Sequence, residues 1–130
     1  NIEEKRQLLK GLINLREPIE IDDEILKLED KLLQIELTEK GIIDVLELPE
    51  MEKNISLYLG DITTLKTDAI VNAGNNYGLG CFNPTHKCID NTIHTYSGVR
   101  LRLECNNKLK GKILNNGDIL VCNGYNLPSK

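Results

Sequence analysis

Two thiols, an imidazole and a carboxylate fall within one short, turn-rich segment, Gly80-Cys81-Phe82-Asn83-Pro84-Thr85-His86-Lys87-Cys88-Ile89-Asp90-Asn91. Thiolate and imidazole are preferred ligands of zinc. Cys81, His86 and Cys88 supply three such ligands with no obvious fourth. Closed structural zinc sites take four protein ligands, whereas catalytic sites keep three and leave a position open. His86 and Cys88 are two positions apart and cannot share a helix face, but an extended or turning backbone can aim both at one point. Pro84 disfavours helix for the residue before it, and Gly80 permits a sharp approach. The spacing C-x4-H-x-C differs from a zinc knuckle, which usually begins C-x2-C. On spacing alone two readings stand level. One is a metal held where a substrate can reach it. The other is a pair of buried cysteines acting as small hydrophobes beside an incidental histidine.

The chain has 130 residues, enough for one domain or part of one. It begins with Asn1 and not Met, so the sequence is expected to be cut at its start. The charged N-terminus has no apolar h-region, and no apolar run is long enough to span a bilayer. A cytoplasmic or similarly reducing compartment is expected, where the four cysteines stay free for metal rather than pairing as disulfides. The net charge of −4 argues against a nucleic-acid partner, which needs a basic surface. Lys108, Lys110 and Lys112 read as the solvated end of a helix. A phosphate-bearing ligand would have to be held mainly by backbone N–H groups.

The texture changes near residue 50. Before it, periodicity is helical. Leu8, Leu9, Leu12 and Ile13 form an apolar stripe that Pro18 ends. A second helix is expected from about Asp22 to Lys40, with Ile25, Leu28, Leu32 and Ile35 on one face, an acidic first turn and Gly41 as the stop. The charges of this part read as a solvated face. From residue 54, Ile55–Leu59 alternates as a strand, Asp68–Asn72 reads as a buried strand, and Ile119–Val121 as a third. Ile89–Lys110 reads as helix in two pieces divided near Gly98. Strands interleaved with helices make an α/β sheet, and ligands then sit beyond the carboxyl ends of the strands. Asn72, Asn75 and the cysteine cluster lie just past the second strand.

Gly60-Asp61-Ile62-Thr63, followed by Asp68-Ala69-Ile70-Val71-Asn72-Ala73-Gly74-Asn75, resembles the opening of a macrodomain, a family that binds ADP-ribose. Gly80 to Asn91, with Ile93-His94 after it, resembles the zinc-containing macrodomains in particular. These carry a helical N-terminal extension and remove mono-ADP-ribose from proteins. Some are linked with sirtuin-type ADP-ribosyltransferases and lipoyl-carrier proteins. The resemblance implies a macrodomain-type α/β fold, an incomplete mixed sheet flanked by helices. It would comprise a helical extension over residues 1–50 and the first part of a zinc-containing macrodomain over residues 54–130. It further implies that Asp61 accepts from the adenine amino group with Ile62 beside it, that Asn72 and Asn75 line the distal ribose, and that Asp90 acts near that ribose. Cys81, His86 and Cys88 would hold zinc. The implied substrate is a mono-ADP-ribosylated protein.

Local alternatives remain beside each role. Asp61 after Gly60 is by default a turn residue, Asn72 and Asn75 can fix a loop through Asx turns, and Asp90 can cap the helix starting near Asn91. His94 reads as structural, and Cys105 and Cys122 as packed thiols. Gly74 and Tyr96-Ser97 depart from the family pattern, with a looser Asn-loop and altered packing expected. About half of a macrodomain, including a Gly-rich loop over the diphosphate, is expected beyond Lys130, so the 130 residues alone are expected to be inactive. The functional alternatives are a non-catalytic ADP-ribose reader and an inert remnant.

Overall fold

A computed structural model describes residues 1–130. Four helices form its frame: α1 (Ile2–Leu15), α2 (Asp23–Lys40), α3 (Ile89–Ser97) and α4 (Val99–Leu109). The expected helix boundaries arise from their caps. Asn1 and Glu4 make a reciprocal capping box at the start of α1. Asp22 accepts from the Glu24 N–H at the start of α2, and Gly41, at φ 85°, closes it. Gly98, at φ 97°, divides α3 from α4 where a break was expected.

The strands are short. β1 (Ile43–Asp44) pairs in parallel with β4 (Leu65–Lys66), and β2 (Glu50–Glu52) pairs antiparallel with β3 (Ile55–Ser56). Only the first two residues of the expected Ile55–Leu59 strand are in a ladder. The segments 68–72 and 119–121 have no ladder partner either, although their side chains alternate as strands do. Ile70 and Leu120 pack inward, while Val71, Ile119 and Val121 are 85%, 84% and 74% exposed. Alternation dictates which side chains share a face; a ladder also needs a neighbouring backbone.

The core lies between α3, α4 and these extended segments. Ile93, Leu101, Cys105 and Leu127 are its buried centre, with Ile70, Leu79, Leu120 and Cys122 packed against it. α1 and α2 lie outside this core and form an open apolar groove of about 600 Å³, lined by Leu9, Leu12, Ile25, Leu28 and Leu32 among others. The apolar stripe of α2 lines this groove and is not its buried face. Ile25, Leu28 and Ile35 are exposed, while Leu33, Glu36 and Leu37 are buried. The face turned inward is chosen by polar partners. Glu29 accepts from the Val99 N–H with both carboxylate oxygens at 3.2 Å, capping α4, which has no side-chain cap of its own. Burial raises the Glu29 carboxyl above its usual range. Asp30 accepts from Asn126 Nδ2 at 2.7 Å, and Gln34 donates to the Asn126 carbonyl at 3.0 Å. The charges of α2 are thus not simply a solvated face. No helix is long and apolar enough to cross a membrane.

Candidate metal and ligand site

The loop from Leu79 to Cys88 is shaped by three backbone features. Gly80 adopts φ 81°, and a Cβ there would come within 2.8 Å of the His94 ring, so only glycine fits over the imidazole. Asn83 to His86 is a turn closed by the His86 N–H on the Asn83 carbonyl at 3.2 Å. Thr85 sits at φ 56°, a sparsely populated region for a β-branched residue. Cys88 then begins α3 as its N-cap, with its Sγ accepting from the Asn91 N–H at 3.3 Å. Asp90, for which capping was the local alternative, lies in the first turn of the helix.

This path gathers one ligand atom each from Cys81, His86 and Cys88 within 4.8 Å of one another. Ligands about 2.3 Å (sulfur) and about 2.0 Å (nitrogen) from a tetrahedral zinc stand about 3.5 Å apart. Cys81 Sγ and His86 Nδ1 are 3.6 Å apart. The soft donor set and this separation fit a metal ion. The sulfur of Cys88 also sits at the positive end of α3, where negative charge is favoured. Cys105 is not in this group. It is buried beside Cys122, with Sγ···Sγ 3.6 Å, and burial pushes its thiol up to about 12.

A second constellation adjoins the first. Asn72 donates to Asp90 Oδ1 at 2.8 Å, and Asn75 Nδ2 donates to Asp90 Oδ2 at 3.4 Å and to the Gly80 carbonyl at 3.2 Å. The amides thus hold the Asp90 carboxylate and tie it to the residue before Cys81. Asn75 Oδ1 also accepts from the Tyr77 N–H at 3.0 Å, an Asx turn, so the residue serves both its loop and Asp90. The buried Oδ1 of Asn72 has no partner within the chain. A buried acceptor left open this way is matched by a donor from a ligand or water. His94 Nε2 lies 3.7 Å from Asp90 Oδ1, and burial pulls its imidazole down to about 4 despite that carboxylate. The ring is neutral at pH 7 and acts as a floor under Gly80, as a structural histidine should. At Gly74, where a looser loop was expected, an added Cβ would lie 3.4 Å from both Asn72 Nδ2 and Asp90 Oδ1, already in contact.

Asp61 and Ile62 stand apart from these groups. Asp61 caps the short helical turn Ile62–Thr64, accepting from the Thr63 N–H at 2.9 Å and hydroxyl at 2.6 Å. Its other oxygen accepts from Lys40 at 2.7 Å. Burial raises the Asp61 carboxyl, and the hydrogen bonds from Lys40 and Thr63 outweigh it, so the carboxyl sits below its usual range. Ile62 is half-buried at the start of a turn that packs on α3. Lys40, Asn14 and Arg102, which bind the two sets of elements together, went unread in the sequence. Nothing local marks them, since each acts on a partner far along the chain.

Four helices, two short strand pairs and an Asn-rich loop running into a Cys-His-Cys cluster are consistent with an incomplete macrodomain. Residues 71–130 match the Macro domain family. Over its whole length the chain is 41% identical to a protein-ADP-ribose hydrolase of Staphylococcus aureus (strain MSSA476), covering 50% of that protein. It is 40% identical to a protein-ADP-ribose hydrolase of Treponema medium, with 98% of this chain and 51% of that protein aligned. The chain spans about half the length of the curated relatives it matches.

Proposed function

We propose that the whole protein to which these residues belong is a zinc-assisted hydrolase that releases mono-ADP-ribose from modified proteins. The observation that carries this reading is the direct link between two chemistries. A carboxylate held by two amides, Asp90 with Asn72 and Asn75, is tied through the Gly80 carbonyl to a Cys-His-Cys metal group. The names of the relatives support the reaction class. The division of labour follows the domains, with residues 1–50 as a helical extension and residues 54–130 as the macrodomain part.

Cleavage of an N- or O-linked ADP-ribose passes through an oxocarbenium-like state at the anomeric carbon of the distal ribose, as in glycoside hydrolysis. Asn72 offers its open Oδ1 to a ribose hydroxyl. Asn75 fixes the loop and the far oxygen of Asp90. Asp90 orients the attacking water or takes its proton. Cys81, His86 and Cys88 would hold zinc, which would supply Lewis acidity beside the distal-ribose site. Asp61 accepts from the adenine amino group, with Ile62 beside the base. A reducing, cytoplasmic setting keeps the two thiols available.

The test is ADP-ribose release by the full-length protein from several mono-ADP-ribosylated proteins, a lipoyl-carrier protein among them, together with calorimetric binding. Release with multiple turnover is expected. Tight binding with no release from any substrate would make the protein a reader, and neither binding nor release would make it a remnant.

A further inference from the structure

The metal loop is not held by its own residues alone. Asn14, near the end of α1 and 1% exposed, accepts from the Thr85 N–H with Oδ1 at 2.9 Å. Its Nδ2 donates to Thr95 Oγ1, also at 2.9 Å. The Thr95 hydroxyl donates in turn to Asn91 Oδ1 at 3.4 Å. Asn91 Nδ2 donates to the Asn83 carbonyl at 3.0 Å and approaches the Cys81 carbonyl at 3.5 Å. Asn14, Thr95 and Asn91 are all buried, at 1%, 4% and 5% exposure. The circuit runs from α1 through α3 and grips the loop at Cys81, Asn83 and Thr85. Thr85 is the strained residue immediately before His86, and a strained backbone persists only where its surroundings over-determine it. α1 packs against this turn at Gly11, where an added Cβ would meet Pro84 and Thr85 at 3.8 and 3.9 Å, an ordinary contact distance.

We propose that Asn14 is a positioning residue for the metal group, acting through Thr85 on His86 and through Thr95 and Asn91 on Cys81, so that α1 sets how tightly the loop holds its ion. This rests on the reading of Cys81, His86 and Cys88 as metal ligands. A residue that orients ligands without touching the metal typically controls affinity by about 10–100-fold. Removing it leaves all three ligand atoms in place but frees the backbone that aims them.

The experiment uses the full chain and two readouts: zinc affinity by competition with a chromogenic chelator, and the visible absorption of the cobalt(II)-loaded protein. Four variants are compared with wild type. Asn14→Leu removes both hydrogen bonds, and Asn14→Asp keeps the acceptor toward Thr85. Thr95→Val breaks the relay at nearly constant shape, and Thr95→Ser keeps its hydroxyl. The proposal expects zinc affinity to fall about 10–100-fold in Asn14→Leu and Thr95→Val, with an altered cobalt spectrum, to recover most of the loss in Thr95→Ser, and to fall between in Asn14→Asp, which keeps the acceptor toward Thr85 but loses the donor to Thr95. Thermal melts of the metal-free forms separate this from folding, because a purely structural role lowers the melt and leaves affinity and spectrum alone. If Asn14→Leu does not fold, the Thr95 pair decides. Wild-type affinity and spectrum in folded Thr95→Val would overturn the proposal. Failure of wild type itself to bind zinc, or full binding after Cys81→Ser with Cys88→Ser, would instead overturn the metal reading beneath it.

Discussion

Lys40, the last residue of α2, donates to Asp61 Oδ2 at 2.7 Å and rests 3.2 Å from the centre of the Tyr96 ring. The helical N-terminal part thus reaches the residue proposed to meet adenine. Thr63 holds the other oxygen of Asp61, so the carboxylate keeps its aim without Lys40. Asp61→Ala should weaken ADP-ribose binding by on the order of 1.5–3 kcal/mol, the worth of a hydrogen bond to a charged group. Lys40→Met should cost clearly less. Calorimetry on the full-length protein checks both, and an equal loss in the two variants would argue against direct contact by Asp61.

Asn75 and Asp90 should separate binding from turnover. Asn75→Ala frees the loop and one oxygen of Asp90, and Asp90→Ala removes the carboxylate. Their proposed work is at the distal ribose, so the rate of ADP-ribose release should fall far more than affinity does. A rise in KM with kcat unchanged in both variants would place them in binding alone.

The limits of α2 and the break at Gly98 were legible because each is written in adjacent residues: the acidic turn from Asp22 to Glu24, Gly41 and Gly98 itself. The Cys81-His86-Cys88 cluster was legible for the same reason. The buried face of α2 was not. Its apolar residues Ile25, Leu28 and Leu32 form a real stripe, but Glu29, Asp30 and Gln34 meet partners at Val99, Arg100 and Asn126, and those partners turn the other face inward. Asn14 was invisible for the same physical reason, since an asparagine gains its meaning only from what lies across from it. Asp68–Asn72 and Ile119–Val121 show the limit of alternation, which sorts faces and does not supply a neighbouring strand.

Those segments also carry a prediction. Val71 and Val121 are exposed beside backbone with no ladder partner, an invitation to edge-to-edge association. The 130-residue chain should self-associate with rising concentration in sedimentation velocity, and Val71→Lys with Val121→Glu should suppress this. A monomer at every concentration would show that these edges are protected.

Acid should loosen the metal-free protein in two steps. His94 titrates at about 4 in the folded chain, against 6.5 for an unperturbed histidine, because burial disfavours its charged form. The unfolded state therefore takes the proton first. This contribution to stability is complete above pH 6.5 and declines as pH falls toward about 4. Burial pushes Glu104 up, but hydrogen bonds from Lys108, Tyr125 and Asn123 bring it down to about 2, against a usual 4.5. Its contribution is present above pH 4.5 and is lost as pH falls toward about 2. Denaturation across pH should show both declines, with Glu104→Gln removing the lower and His94→Gln the upper. A metal-free sample is needed because protonation of metal ligands also expels the ion.

Arg102 is the stabilising counterpart of Asn14. It donates to the Leu79 carbonyl at 2.7 Å and to the carbonyls of Ile13, Asn14 and Arg16 at the end of α1, with its guanidinium 4.2 Å from the centre of the Phe82 ring. Arg102→Met should cost about 3 kcal/mol, because several carbonyls lose a charged donor in a buried site. Urea denaturation reads this directly, and a loss below about 1 kcal/mol would mean that water replaces the guanidinium without penalty.

The most direct measurement is ADP-ribose release from a mono-ADP-ribosylated protein by the full-length protein, before and after treatment with a chelator, and again after zinc is added. The account predicts turnover that is lost with the metal, returns with zinc, and does not return in Cys81→Ser with Cys88→Ser. Undiminished release after chelation, or tight ADP-ribose binding with no release in any state, would contradict it.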